Sequence, residues 1–157
     1  MDKSFNMIIP EQFEYALNFS EGLAGVSFED ETSWGYIDIE GKLVIDDKFY
    51  SVNYFNEGLA PVKSKDTLLW GYIDKNGEFA INPVYIGAEL FSEGLGGVGI
   101  DKGRYGFVDK DGNFVIEPIY EQVSCFREGL AAVKIDANKG KKYKKTKYKW
   151  GYINKSG

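Results

Sequence analysis

The chain has 157 residues, 43% of them hydrophobic and 16% aromatic, with 19 glycines, four prolines and a formal net charge of −5. Such apolar content excludes disorder over the chain as a whole, and no run approaches the roughly eighteen apolar residues that a membrane-spanning helix needs. With no histidine and a single cysteine, Cys125, the composition excludes imidazole-dependent triads and zinc centres, thiolate metal clusters and an intrachain disulfide.

In chain order, Met1 to Asn6 lacks a charged-then-apolar leader, which together with the absence of a long apolar run predicts a cytoplasmic protein. Residues 5–9 read as a short strand, because Asp2-Lys3-Ser4 followed by Met7-Ile8-Ile9-Pro10 matches Asp74-Lys75-Asn76 followed by Ala80-Ile81-Asn82-Pro83. From there the chain is periodic. An aromatic precedes a Glu-Gly turn at Phe19, Phe55, Phe91 and Phe126, and the glutamates Glu21, Glu57, Glu93 and Glu128 step by 36, 36 and 35 residues. Leu-x-x-Val follows each turn. Then comes a second strand, Trp-Gly-Tyr-Ile-Asp or its variant, anchored at Trp34-Gly35, Trp70-Gly71, Tyr105-Gly106 and Trp150-Gly151. The last step, from Tyr105 to Trp150, is 45 residues, so the fourth copy carries an insertion of about ten residues.

A third run follows at Leu43-Val44-Ile45, Phe79-Ala80-Ile81 and Phe114-Val115-Ile116, succeeded by an aromatic: Phe13, Phe49, Tyr85 or Tyr120 in successive copies. Apolar residues do not recur at helical spacing and glycine interrupts every dozen residues or fewer, which argues for strands. The chain therefore reads as all-β, a single domain of about three short antiparallel strands per copy, with repeats at 8–43, 44–79, 80–114 and 115–157. The strand at 5–9 would complete the last copy if the repeats close into a propeller-like ring, which is preferred to an open solenoid stack. One copy buries too little apolar surface to offset its own chain entropy, so neighbouring copies must share faces.

The pattern Phe-x-Glu-Gly-Leu-Ala-x-Val, then Trp-Gly-Tyr-Ile-Asp-x-x-Gly-x-x-x-Ile-x-Pro-x-Tyr, with Lys149-Trp150-Gly151 as its KWG form, resembles the bacterial WG (KWG) β-repeat family over almost the whole chain. Tyr105 for Trp, Gly96 for Ala, and Asp47 where later copies have Pro83 and Pro118 are the departures. The resemblance implies a β-repeat architecture used as an interaction or binding module, and it brings no catalytic motif.

Asp38, Asp74, Asp109 and Asn154 open Asp-x-x-Gly turns, and Asn in the last copy suits turn capping better than acid–base or ligand chemistry. Asp109 to Asn113 looks like part of a calcium loop, but Tyr120 stands where the loop needs its closing acid, so a structural turn is expected. The four glutamates, Glu21, Glu57, Glu93 and Glu128, are expected to accept hydrogen bonds from their own turn or from a neighbour's backbone rather than to converge on a cation. Gly35, Gly71, Gly106 and Gly151 leave a gap in their strand that predicts close packing of a ring or of neighbouring backbone. Trp34, Trp70, Tyr105 and Trp150 are expected to pack between copies, the alternative being a stacking platform for sugars or bases. Cys125 reads as a small buried hydrophobe.

The insertion is the most copy-specific feature. Asn138 to Lys149 holds seven lysines and no acid, leaving twelve basic against 24 acidic residues in the rest of the chain. Lys141, Lys142, Tyr143, Lys144, Lys145 and Lys147 form a candidate contact surface for phosphates or an acidic partner, or else a solvated hairpin. No cofactor, metal or catalytic residue is expected. The leading reading is a non-catalytic scaffold that binds another protein through its inter-strand loops. The alternative is a binder of a small anionic ligand or nucleic acid, through a ring-end pocket or the lysine-rich insertion.

Overall fold

The structure is a computed structural model that describes residues 7–28, 31–140 and 145–157. Among these residues there is no helix, so no helix long and apolar enough to cross a membrane. By contact density the chain forms two compact units, Met1–Pro83 and Val84–Gly157.

In the first unit, β1 (Tyr15–Ala16), β2 (Ala24–Ser27), β3 (Trp34–Ile37), β4 (Leu43–Val52), β5 (Ala60–Ser64) and β6 (Trp70–Ile73) follow one another across an antiparallel sheet. The next strand of that sheet, β7 (Phe79–Tyr85), contains the unit boundary after Pro83. In the second unit β8 (Gly87–Ser92), β9 (Leu95–Asp101), β10 (Arg104–Val108) and β11 (Phe114–Tyr120) form a four-stranded sheet. The remaining strands, β12 (Gln122–Val123), β13 (Ala131–Asp136) and β14 (Tyr148–Ile153), form a three-stranded one. All pairings are sequential and antiparallel, as the short Gly-rich turns require.

The third run is longer than the sequence predicts. It extends through the following aromatic, so that Trp34 faces Phe49, Tyr36 faces Ile45 and Ile37 faces Leu43. Between Trp34 and Tyr36 the partner strand accommodates extra residues as a bulge, and the same irregularity recurs between Tyr105 and Phe107 opposite β11. A further short segment, read in the sequence only as an aromatic leading on to Ala16, Val52, Ala88 or Val123, pairs with the outer side of each Leu-x-x-Val strand.

Each unit has its own core. Tyr36, Ile45, Phe49, Phe55, Val62 and Ile73 cluster in the first, with Leu17, Leu23 and Trp34 packed against them. In the second, Phe107, Ile116, Tyr120, Phe126 and Val133 do the same with Tyr105 and Ile153. Each cluster draws on two successive copies, which is the face-sharing that the small size of one repeat demands.

Candidate interaction surface

Each Glu-Gly pair is a two-residue hairpin turn: in the first, Ser20 and Leu23 exchange backbone bonds of 2.9 and 3.1 Å. Both central residues are left-handed, the four glutamates at φ between 52° and 55° and their glycines between 78° and 87°. This backbone suits a type I′ turn, but it disfavours glutamate. The side chain supplies a reason for it to stand there. Glu21 Oε2 accepts a hydrogen bond from the Gly58 N–H of the next copy's turn (3.1 Å) and pairs with Lys75 Nζ (3.2 Å). Glu93 repeats the device with Gly129 N–H (3.1 Å) and Lys155 Nζ (3.2 Å). The Gly129 bond and the lysine together hold the Glu93 carboxyl below its usual range. Beside the glutamates, Ser20 and Ser92 donate through Oγ to the carbonyls of Phe55 and Phe126, each at 2.6 Å.

The Asp-x-x-Gly turns close as their chemistry dictates. Asp38 accepts from the N–H groups of Glu40 and Lys42, Asp74 from those of Asn76 and Glu78, and Asp109 from those of Asp111 and Asn113. Asn154 accepts from the Ser156 N–H, and Gly41, Gly77, Gly112 and Gly157 take positive φ. Three of the four motif glycines, Gly35, Gly71 and Gly106, are covered by backbone. A Cβ on Gly35 or Gly71 would lie 2.5 Å from the carbonyl oxygen of Ile45 or Ile81, and on Gly106 it would meet the Ile116 carbonyl.

Packing between copies centres on one aromatic pair. Tyr36 stacks edge-on against Phe55 of the following copy, with centroids 4.9 Å apart, and donates its hydroxyl to the Asn53 carbonyl at 2.7 Å. Burial pushes its phenol pKa well up. Phe107 meets Phe126 of the following copy in a tilted contact, with centroids 4.8 Å apart.

The two outermost copies break this pattern without breaking the sequence pattern. β14 is the edge of its sheet, and Gly151 has nothing within 4 Å of a built Cβ. Tyr152 is 75% exposed and Trp150 57%, whereas Tyr36, Tyr72 and Phe107 are buried and Trp34, Trp70 and Tyr105 are half-buried. Leu130 and Ile135 are exposed beside them, and Cys125, half-buried rather than buried, lies in a surface depression with Leu130 and Tyr152. The Glu128 carboxylate makes no hydrogen bond or ion pair among the described residues. At the start of the chain, Phe19 is 45% exposed although Phe55, Phe91 and Phe126 are fully buried. With Met7, Ile8, Ile9 and Ile39 it lines an apolar groove of about 470 Å³.

Of the predicted lysine surface, Lys141, Lys142, Tyr143 and Lys144 lie outside the described residues, and Lys145 and Lys147 are exposed. Asp136, which sequence reasoning passed over, fastens the foot of this insertion by accepting from the N–H groups of Asn138 (2.9 Å) and Lys147 (3.1 Å). Next to it, a cleft of about 270 Å³ is bordered by Lys102, Tyr105, Glu121, Gln122, Lys134 and Tyr148, with the Lys134 ammonium 4.6 Å from the Tyr148 ring centroid. Among the described residues no three Cys, Asp or Glu side chains are grouped to hold a metal ion.

No curated protein matches the chain. A family model described as WG containing repeat matches it four times in succession, at residues 1–31, 34–67, 70–102 and 105–143. With these matches taking in most of its length, and with the Trp-Gly strand, the Glu-Gly turn and the Asp-x-x-Gly turn each given a structural role, the chain belongs to the WG-repeat family.

Proposed function

We propose that this chain is a non-catalytic scaffold that binds another protein in the bacterial cytoplasm. The observation that carries this reading is the outer face of the fourth repeat, where Leu130, Ile135, Tyr148, Trp150 and Tyr152 stand exposed along an unpaired sheet edge. Aromatic side chains on an open strand edge suit β-augmentation by a partner, in which backbone bonds give affinity and side-chain pockets give specificity. The repeated carboxylates support a non-catalytic role, since Asp38, Asp74, Asp109, Glu21 and Glu93 accept backbone hydrogen bonds at turns. Affinity capture from the native host with wild-type protein and with Tyr152→Asp, analysed for both proteins and metabolites, tests it. A protein held by the wild type and lost by the variant supports the scaffold; capture of metabolites alone refutes it.

A second reading, an anionic ligand or nucleic acid, is favoured by the cleft between Lys102 and Lys134 at the foot of the lysine-rich insertion. Binding through it would weaken steeply with salt and with Lys134→Gln.

A further inference from the structure

We infer that the cleft at the foot of the lysine-rich insertion binds a small amino acid with an acidic side chain, its ammonium on Glu121 and its two carboxylates on Lys102 and Lys134. The inference rests on the second reading, an anionic ligand in this cleft, and names the class of that ligand.

The lining of the cleft belongs entirely to the second unit. One wall is Tyr105, the motif aromatic of the third copy, where tyrosine stands in place of tryptophan. Its ring lies against two glycines: a Cβ on Gly99 would be 2.6 Å from the ring carbons, and one on Gly87 would be 3.1 Å from the hydroxyl oxygen. Other copies carry Ser27, Lys63 and Lys134 at the Gly99 position, so the seat of this ring is specific to the third copy. Gly103 shapes the opposite side. It takes φ 77° in the turn between β9 and β10, and a Cβ there would be 2.6 Å from Glu121 Oε2, so the Glu121 carboxylate rests directly on the turn.

The cleft holds both signs of charge, and they do not satisfy one another. Lys102 adjoins Gly103 in sequence, yet among the described residues neither its ammonium nor the Glu121 carboxylate has a hydrogen-bond or ion-pair partner. Lys134 is held in place: its Nζ donates to Gln122 Oε1 at 3.1 Å and lies 4.6 Å from the Tyr148 ring centroid. An ammonium has three N–H donors, so Lys134 keeps donors for a ligand. In the first unit the corresponding residues, Lys63 and Tyr50, close on each other with the ammonium 5.0 Å from the ring centroid, and no carboxylate stands there. Half-buried Glu121 gives up hydration without a protein partner, and a ligand ammonium would replace what it loses. Two cations and one anion call for a ligand with two anionic groups and one cationic group. Glu121 also disfavours a phosphate chain, because it sets a like charge beside any phosphate that reaches Lys102. The volume of about 270 Å³ lies below the roughly 300 Å³ at which sites for drug-sized ligands begin, which restricts the ligand to a small molecule. A single amino acid with a side-chain carboxylate meets the charge and the size together.

The test is titration of the isotope-labelled chain with L-glutamate at fixed ionic strength, read from backbone amide shifts. Glutamate should shift the amides of Gly103, Gln122 and Lys134 saturably, at millimolar concentration or below. Glutarate, which lacks the amine, and γ-aminobutyrate, which lacks one carboxylate, should each bind about fivefold or more weakly. Glu121→Gln should abolish the preference for glutamate over glutarate, and Lys102→Gln the preference over γ-aminobutyrate. Both variants should melt as the wild type does, since neither side chain holds a partner in the free chain. Glutarate that binds as tightly as glutamate, or a preference that Glu121→Gln leaves intact, overturns the inference. So does a glutamate response that spares Gly103 and Gln122. If glutamate fails to bind while inorganic phosphate or a single-stranded oligonucleotide shifts the same amides, and Lys134→Gln removes that effect, the inference falls and the second reading stands. If none of these probes moves the cleft residues, both fall.

Discussion

Gly106→Ala and Gly151→Ala make the same chemical change at the same motif position in one folded unit, and the structure expects them to differ widely. A methyl on Gly106 would sit 2.8 Å from the Pro118 nitrogen and 2.9 Å from the Glu117 carbonyl carbon, and would also press on the Ile116 oxygen. All three are backbone atoms of β11, so no side-chain rotation relieves the clash. The strand must retreat, straining the pairs Tyr105–Tyr120 and Phe107–Ile116. Overpacking of this kind costs about 1–3 kcal/mol, and a weakened backbone hydrogen bond about 1 more. The total, about 2–4 kcal/mol, is a large share of the roughly 5–15 kcal/mol that holds a typical domain folded. Gly151 has open space around it, so its alanine variant should lie within about 0.5 kcal/mol of wild type. Urea unfolding followed by tryptophan fluorescence measures both. Equal destabilisation by the two variants would refute the claim that overlying backbone, rather than the motif itself, makes this glycine necessary.

Asp109→Ala removes the acceptor for two backbone N–H groups at an exposed turn and should cost about 1 kcal/mol, while Asp109→Asn should cost less, as read from thermal melts of the two variants. Tyr36→Phe leaves the Asn53 carbonyl without its 2.7 Å donor inside the core and should cost about 1–2 kcal/mol in urea unfolding. Glu93 has its folded pKa held down by the Gly129 bond and by Lys155, so its contribution is present above the ordinary carboxylate range and is lost as pH falls through the lowered value. Acid titration of stability should therefore be shallower for Glu93→Gln than for wild type below about pH 4.5, with no difference in slope near neutrality. Identical acid limbs would remove the glutamate latch from the stability of the second unit.

The strands were legible because their chemistry is local. Alternating aromatics, Asp-x-x-Gly turns and a fixed step specify where the chain extends and where it reverses, and the Asp38, Asp74 and Asp109 turns have the bonds that residue type alone predicts. The latch was only half legible. Glutamate at four equivalent turns signalled a backbone-accepting role, but the choice between its own turn and the next copy's N–H, some 36 residues away, depends on a stacking that no local pattern encodes. The bulge over Gly35 was also hidden, because the third run reads as Leu43-Val44-Ile45 alone until Phe49 is seen opposite Trp34. Asp136 was missed for a related reason. Its partners, Asn138 and Lys147, lie on either side of the insertion, and the sequence gives no copy with which to compare them.

Where the copies disagree in sequence, at the insertion, the described lysines Lys139, Lys145, Lys147 and Lys149 are exposed. Where they agree, the differences in environment are larger. Phe19 and Phe55 are the same residue at the same repeat position, as are Tyr36 and Tyr152, yet one member of each pair is buried and the other is not. Burial in a repeat array belongs to the junction between copies rather than to the copy, because each repeat supplies half of two interfaces. An exposed half-interface retains the shape, hydrogen-bonding groups and apolar surface that fit it to the complementary half, and water is a poorer partner for all three. The exposed apolar surface of the fourth repeat is therefore made of residues of the same types as those of the core. A search for distinctive residues passes over it, because Trp150-Gly151-Tyr152 is distinguished from Trp34-Gly35-Tyr36 only by what lies beside it.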